Sequence, residues 1–481
     1  MVSGSHLARG GLYLVLRQVV GTGLSLVAMF FVTGTIGAAA FGSFAAALAI
    51  VSLVQTVTLF GIPVSLLRRA VAPTRTDFDV AFTLTMLLGL IVLIGGLATS
   101  PLFDRITGLT GVTMIAASMF MATPVLFASA IPTAALERSL DFRRIAAIEL
   151  AAQIGTVAVS IPLAFMGFGT WAPLGGWWAG IGITTVLTLV GGPYRPRLRW
   201  DTGLARGMLG FGIRFSASAW VFQLRQLFNP LLVGPLLGAE AVGVFALTTR
   251  IVEALTFVKP IAWRMSLAAF AQIATAAGRI PPVVARGSGL QLMVMLPLLL
   301  GFSLFGPALV TLLLGRDWSG TQALFPAIAM GAVLNSMFTL QASALHMAGR
   351  SPAVVIYTAT QLVILMLAGW LALPVFGLVG VACAELAGIA AYPILHRAMH
   401  HAYGPSRMHF VYLFGAAGAI ALYWHTLGLV AWLPLAGIVV SPPFARFVRE
   451  EWPNLVSRQR EGKPVGMPVL AEEANGGQGR C

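Results

Sequence analysis

Arg225 lies about fourteen residues into a run of apolar side chains, roughly 21 Å at the rise of an α-helix. A charge that deep in hydrocarbon costs about 2.5 to 3.5 kcal/mol on insertion scales, so it needs water, a partner or a task. Arg214, Ser218, Arg225 and Asn229 follow one another at spacings that put them on one helical stripe. That stripe must face an aqueous cavity or other protein. Pro230, directly after Asn229, has no N–H for the helical ladder and predicts a bend. Two readings of Arg225 stand: a fixed cation lining a cavity, or a kink-bound arginine neutralised by a buried partner.

Other polar groups interrupt the apolar runs. Arg17 is followed by Gln18, Thr22 and Ser25 on neighbouring faces of the first run, about 8 Å in, within reach of snorkelling. Arg214 is shallower and snorkels readily. Arg250 and Glu253 share a helix face three residues apart, either neutralising each other or leaving Arg250 in a cationic lumen with Glu253 as its brace. Glu385 has no oppositely charged neighbour in sequence, so it is either a hydrogen-bonded structural acid or an ion-coupling group. His396, His400, His401 and His409 read as solvated loop residues whose spacing gives no metal set. No phosphate-binding loop, dinucleotide fingerprint or paired-Cys metal motif is present, so no cofactor or resident metal is expected.

The elements that carry these groups are membrane helices. Hydrophobic residues make up 58% of the 481 and charged residues only 10%, with mean hydropathy +0.88, far from the roughly 25% charged of a soluble domain. About fourteen spans of near 20 residues are predicted, centred near residues 23, 54, 89, 124, 156, 181, 224, 250, 301, 334, 363, 387, 418 and 437. A lipid-facing backbone must satisfy its own hydrogen bonds, which predicts an all-α polytopic bundle. Of the 30 Lys and Arg residues, Arg105 and Arg316 fall on the loops of one face, and Arg17, Arg214, Arg225 and Arg250 fall within spans. The rest sit on the alternate loops and tails. This asymmetry predicts that both termini are cytoplasmic. The net charge of +14 is spread over many segments without a dense run, which favours anionic membrane lipids over nucleic acid as its partner. The first apolar run is long enough to span and reads as a helix rather than a cleaved signal. Cys383 and Cys481 provide no disulfide framework.

A ten-residue repeat is visible. Residues 36–45 align with residues 237–246, matching Gly37 to Gly238, Ala38 to Ala239, Gly42 to Gly243 and Phe44 to Phe245. An even number of spans separates the copies, so the halves share one orientation, as in parallel-repeat transporters. The predicted organisation is an N-terminal six-helix lobe over 1–190 and a cytoplasmic linker over 191–209. A second six-helix lobe follows over 210–400, then two accessory spans over 401–449 and a charged, Gly-rich disordered tail over 450–481.

The Gly37–Gly42 handover with residues 44–51, the runs 62–69, 136–144 and 167–172, and the second copy at 237–246 together resemble the polysaccharide transporter family. These are the Wzx-type lipid-linked oligosaccharide flippases of the MOP superfamily. The likeness covers residues from about 10 to 400 and rests on the order of loose motifs; the last two spans match only as hydrophobic segments. It implies two six-helix lobes forming a V, plus two helices, that move undecaprenyl-diphosphate-linked oligosaccharide from the cytoplasmic to the outer leaflet of a bacterial cytoplasmic membrane. The implied mechanism is alternating access, serving O-antigen, capsule or exopolysaccharide assembly. Relatives line the cavity with arginines from helices matching spans one, two, seven and eight, and the positions here are Arg17, Arg225 and Arg250. Gln18, Gln55, Asn229 and Glu253 are the polar companions, and Glu385 is the ion-coupling candidate. A polysaccharide polymerase is an implied partner.

Three alternatives are weighed against this. A multidrug and toxin exporter of the same superfamily prefers cationic cargo, which the deep arginines oppose. A lipid II flippase carries the same diphosphate. A membrane-embedded envelope-assembly enzyme needs an outer catalytic loop, and every outer loop is short.

Overall fold

The structure is a computed structural model that describes residues 21, 23–59, 61–68, 73–260, 262, 266, 280–405 and 408–449; the side chains of 214–219, 221–222 and 307 are outside that description. Among the described residues the regular structure is helical, with no strand. Each of the fourteen predicted span centres falls on a helix. Among the described residues, eight helices are individually long and apolar enough to cross a membrane, and ten are reached if each bent pair counts as one span. Two of the differences have a physical cause. Ser351–Tyr403 passes as one run of 53 residues, about 80 Å at helical rise, more than twice a ~30 Å hydrocarbon core. It is interrupted at Gly377, whose φ is 58°. The expected spans near 418 and 437 form a pair, His409–Ala421 and Trp424–Val440, bent by 64°. Their separate crossing is therefore a less regular affair than two straight helices.

Contacts divide the chain into two units. One gathers described residues of Met1–Ala254, Gly306–Leu324 and Leu362–Ala387; the other gathers those of Leu255–Phe305, Phe325–Gln361 and Gly388–Cys481.

In the first unit the sequence repeat has a backbone counterpart. Gly37 has φ 83° and ψ 166°, and Gly238 has φ 84° and ψ −179°. This corner of conformational space is essentially restricted to glycine. It turns the chain from one helix into the next at both places. The helices that follow then touch: a β-carbon built on Gly42 would lie 2.0 Å from the Ala239 carbonyl oxygen, and one built on Gly243 would lie 2.0 Å from the Ala38 carbonyl oxygen.

The chain between Trp171–Gly191 and Thr202–Leu224 is docked on the helix Arg75–Thr99. The buried Tyr194 hydroxyl donates to Asp79 Oδ1 at 2.8 Å, and the Arg199 backbone N–H donates to Thr83 Oγ1 at 2.9 Å. Tyr194 joins Ile62, Leu66, Val80, Leu84 and Met208 in one apolar cluster. The helix Arg75–Thr99 itself starts with a capping box between Thr74 and Asp77.

The second unit is organised by small residues and buried amides. Gly415 admits the Met337 side chain, and Gly418 admits Leu296. Gln341 Nε2 donates to the Tyr412 hydroxyl at 2.8 Å, and that hydroxyl is 3.0 Å from His396 Nδ1. The histidines 396, 400 and 401 are therefore not loop residues: they lie on the helix Tyr392–Tyr403, and His396 is half-buried against Tyr412. A Gly404 turn (φ 83°) ends that helix.

Candidate functional site

Pro230 decides the local geometry around Arg225. Its ring nitrogen cannot donate to the carbonyl one turn back, so the α-helical ladder of Thr202–Leu224 cannot run on unchanged. The chain responds in two ways. Arg225–Leu227 tightens into a 3₁₀ turn, and Asn229–Val233 widens into a π turn that closes with Gly234 N–H on the Asn229 carbonyl. The predicted bend is thus a change of helical pitch. Such segments are uncommon and concentrate at functional positions.

Arg225 meets a carboxylate there. Its Nη2 donates to Glu385 Oε1, on the short helix Gly380–Gly388, which 3₁₀ turns bracket at Gly377–Val379 and Ile389–Ala391. Both ends of the ion pair therefore sit on interrupted helix. The two side chains differ in exposure: 34% for Arg225 and 11% for Glu385. The carboxylate is the more buried partner of the two. Phe228, one turn on, packs against Gly369, where an added β-carbon would lie 2.6 Å from its ring.

Sequence reasoning left Glu385 without a partner, and the structure supplies one. The signal was present in the depths. Arg225 is some 21 Å from one predicted face and Glu385 some 12 Å from the other, which in a ~30 Å core places them at one level.

The remaining expected residues are distributed as follows. Arg17 and Gln18 lie outside the described residues, as do the side chains of Arg214 and Ser218. Gln55 is buried and donates from Nε2 to Thr123 Oγ1 at 2.9 Å, which ties two helices of the first half together and turns its amide away from any open surface. Asn229 is also buried; its Nδ2 donates to the Val242 carbonyl at 3.2 Å, while its Oδ1 has no hydrogen-bond partner. Arg250 and Glu253 pair at 3.1 Å and are both exposed, 58% and 49%. Among the described residues no group of three or more His, Cys, Asp or Glu side chains is placed to hold a metal ion.

The chemistry available at Arg225 is anion recognition. A guanidinium carries five N–H donors in a fixed fork and cannot lose its charge. A family model for polysaccharide biosynthesis proteins matches residues 35–323, well over half of the chain. The chain belongs to that family. The chain is 26% identical over 159 residues to the amylovoran biosynthesis protein AmsL of Erwinia amylovora, 33% of this chain and 41% of that protein. The alignment thus spans less than half of that relative's length. It is 22% identical over 331 residues to the lipopolysaccharide biosynthesis protein WzxC of Escherichia coli (strain K12), 68% of this chain and 67% of that protein.

Solved structures share the fold of this chain. A structure of the lipid II flippase MurJ in an inward closed conformation aligns with TM-score 0.70 over 93% of this chain and 99% of that chain, at 12% identity. An inward-facing multidrug resistance MATE family transporter of the MOP superfamily aligns with TM-score 0.55 over 87% of this chain and 96% of that chain, at 15% identity. The chain is accordingly a multi-pass helical membrane protein with the fold of these structures.

Proposed function

We propose that this protein translocates a polyprenyl-diphosphate-linked oligosaccharide from the cytoplasmic to the outer leaflet of the bacterial cytoplasmic membrane, by alternating access, with both termini cytoplasmic. The observation that carries the reading is Arg225: a permanent cation on a change of helical pitch within an apolar chain, about one-third exposed and paired with the more buried Glu385. A diphosphate that leaves water for a low-dielectric interior loses its hydration, and forked guanidinium donors replace part of it. Arg17 and Arg250 are the proposed further cations, with Gln18 and Glu253 beside them. Gln55 and Asn229, buried against other helices, support the wall rather than present an open face. The names of AmsL and WzxC, both polysaccharide biosynthesis proteins, support a glycan cargo. A polysaccharide polymerase acting on the flipped product is the proposed partner.

A cationic-drug exporter of the same fold is disfavoured by Arg225, which repels such cargo. Lipid II offers the same diphosphate and differs in its sugar and peptide. One experiment separates them. Deletion of the gene is expected to abolish the surface polysaccharide and to leave its lipid-linked precursor in the cytoplasmic leaflet, with lipid II export unchanged. Loss of lipid II export with intact surface polysaccharide would overturn the assignment.

A further inference from the structure

We propose that Arg144 and Arg195 hold the phosphodiester headgroup of an anionic phospholipid at the end of helix Trp171–Gly191. The assignment is independent of the cargo reading of Arg225.

The two residues lie far apart in a chain whose positive charge is spread along its length. The fold brings both onto the last carbonyls of one helix. Arg144 Nη1 donates to the Gly191 carbonyl at 2.6 Å. Arg195 Nη1 donates to the Leu189 carbonyl and, at 2.9 Å, to the Val190 carbonyl. Carbonyls at a helix C-terminus lack intrahelical donors and carry the negative end of the helix dipole, so they fix cations there. The strap that carries Arg195 is fixed as well. Tyr194 is tied to Asp79 and the Arg199 N–H to Thr83, and Pro193 and Pro196 restrict the backbone between.

What each guanidinium has left over decides the ligand. Arg195 spends Nη1 alone, and its Nε and Nη2, the side fork that can meet two oxygens of one phosphate, make no hydrogen bond among the described residues. Arg144 has its Nε 3.5 Å from Asp141 Oδ2, and its Nη2 is left over. Both side chains are exposed, as are the neighbouring Arg143 and Arg197. Among the described residues, Asp141 is the one carboxylate paired with either of the two fixed arginines. Like-charged guanidiniums held in place with spare donors select an anion with several oxygens.

Depth identifies the anion as a lipid. Helix Trp171–Gly191 has 21 residues, about 31 Å at helical rise, the thickness of the hydrocarbon core, so its terminal carbonyls stand at the level of the headgroups. Leu198 and Trp200 on the same strap are 76% and 51% exposed. An apolar and an indole side chain beside cations suit the bilayer interface and offer nothing to a free phosphate. A zwitterionic lipid brings an ammonium group that the arginines repel. The leaflet concerned is the cytoplasmic one in the proposed orientation.

The test uses the full chain in neutral detergent, with phosphatidylglycerol titrated in and bound lipid counted by native mass spectrometry. Wild type should bind phosphatidylglycerol more tightly than phosphatidylcholine. Arg144→Gln/Arg195→Gln should lose about tenfold or more in that affinity. Arg397→Gln/Arg446→Gln, which removes the same charge from exposed positions of the second unit, should bind as wild type does. Arg144→Lys/Arg195→Lys keeps the charge that membrane insertion needs and should still bind more weakly than wild type, because an ammonium has no fork. Equal losses in the two glutamine pairs, or wild-type affinity in the lysine pair, would reduce the effect to net charge and overturn the site. Displacement of phosphatidylglycerol by an equal concentration of inorganic phosphate would overturn the lipid assignment.

Discussion

Gly42 and Gly243, equivalent residues of the two repeat copies, each press against the backbone of the other copy: Gly42 on the carbonyl of Ala239, and Gly243 on the carbonyl of Ala38. The contact is reciprocal, as expected when two like helices cross about an approximate two-fold axis. Its consequence is mechanical. The opposing atoms are backbone, so no rotamer change can make room for a side chain.

Alanine at either position should therefore destabilise the protein by about 1 to 3 kcal/mol, as overpacking of a close contact does. The pair should also be coupled. Once the first alanine has pushed the helices apart, the second meets a wider gap, so the loss in Gly42→Ala/Gly243→Ala should fall short of the summed single losses. Thermal unfolding of the detergent-solubilised protein measures both. Additive losses would show that the two contacts are independent.

For Arg225 the informative variant is the charge swap. Arg225→Ala should abolish export of the lipid-linked glycan at normal membrane abundance, and Arg225→Lys should retain part of it if charge rather than forked geometry matters. Arg225→Glu/Glu385→Arg keeps an ion pair between the same two helices but places the carboxylate at the more exposed position. Folding should recover relative to either single reversal, because each single reversal leaves like charges facing one another. Export should not recover. Recovery of both would assign the pair a purely structural role.

An interruption of the regular helix at Pro230 was legible in the sequence, because proline lacks an N–H wherever it stands. The choice of 3₁₀ followed by π was not legible, since it depends on how neighbours such as Gly369 and Phe228 fill the space. The Arg225–Glu385 contact depends on which helices touch, and an almost uniformly apolar chain gives weak clues to that. The repeat was visible as matched glycines; their reciprocal packing required coordinates. His396 was misplaced because a polar residue near a predicted helix end reads as solvent-facing, whereas Tyr412, from the helix after the Gly404 turn, covers it.

Tyr194 sets the alkaline behaviour of the strap between helices Trp171–Gly191 and Thr202–Leu224. Burial, then the hydrogen bond and charge of Asp79, push its hydroxyl above the ordinary tyrosine value of 10. A raised value in the folded state means that the neutral hydroxyl is favoured by folding. Its contribution is complete below the unfolded tyrosine's titration and fades as pH climbs beyond it. Wild type should lose stability progressively above about pH 10, whereas Tyr194→Phe should start lower, by about 1 to 3 kcal/mol for the unsatisfied Asp79, and show less further loss there. Equal alkaline slopes in the two proteins would remove Tyr194 as the cause.

The buried amide of Gln341 gives the last test, in the second unit. Gln341 is fully buried; its Nε2 is satisfied by Tyr412, and its Oε1 has no partner. Removing only the acceptor, in Tyr412→Phe, strands a second atom of the same amide and should cost about 1 to 3 kcal/mol. Gln341→Leu removes the stranded atoms altogether, and the Tyr412 hydroxyl still has His396 Nδ1 at 3.0 Å. Leucine should therefore be close to neutral or stabilising in thermal unfolding, although it deletes a hydrogen bond. If Gln341→Leu instead unfolds as readily as Tyr412→Phe, the amide makes interactions beyond the Tyr412 bond, and a polar occupant beside its Oε1 becomes the better account of why a glutamine is kept there.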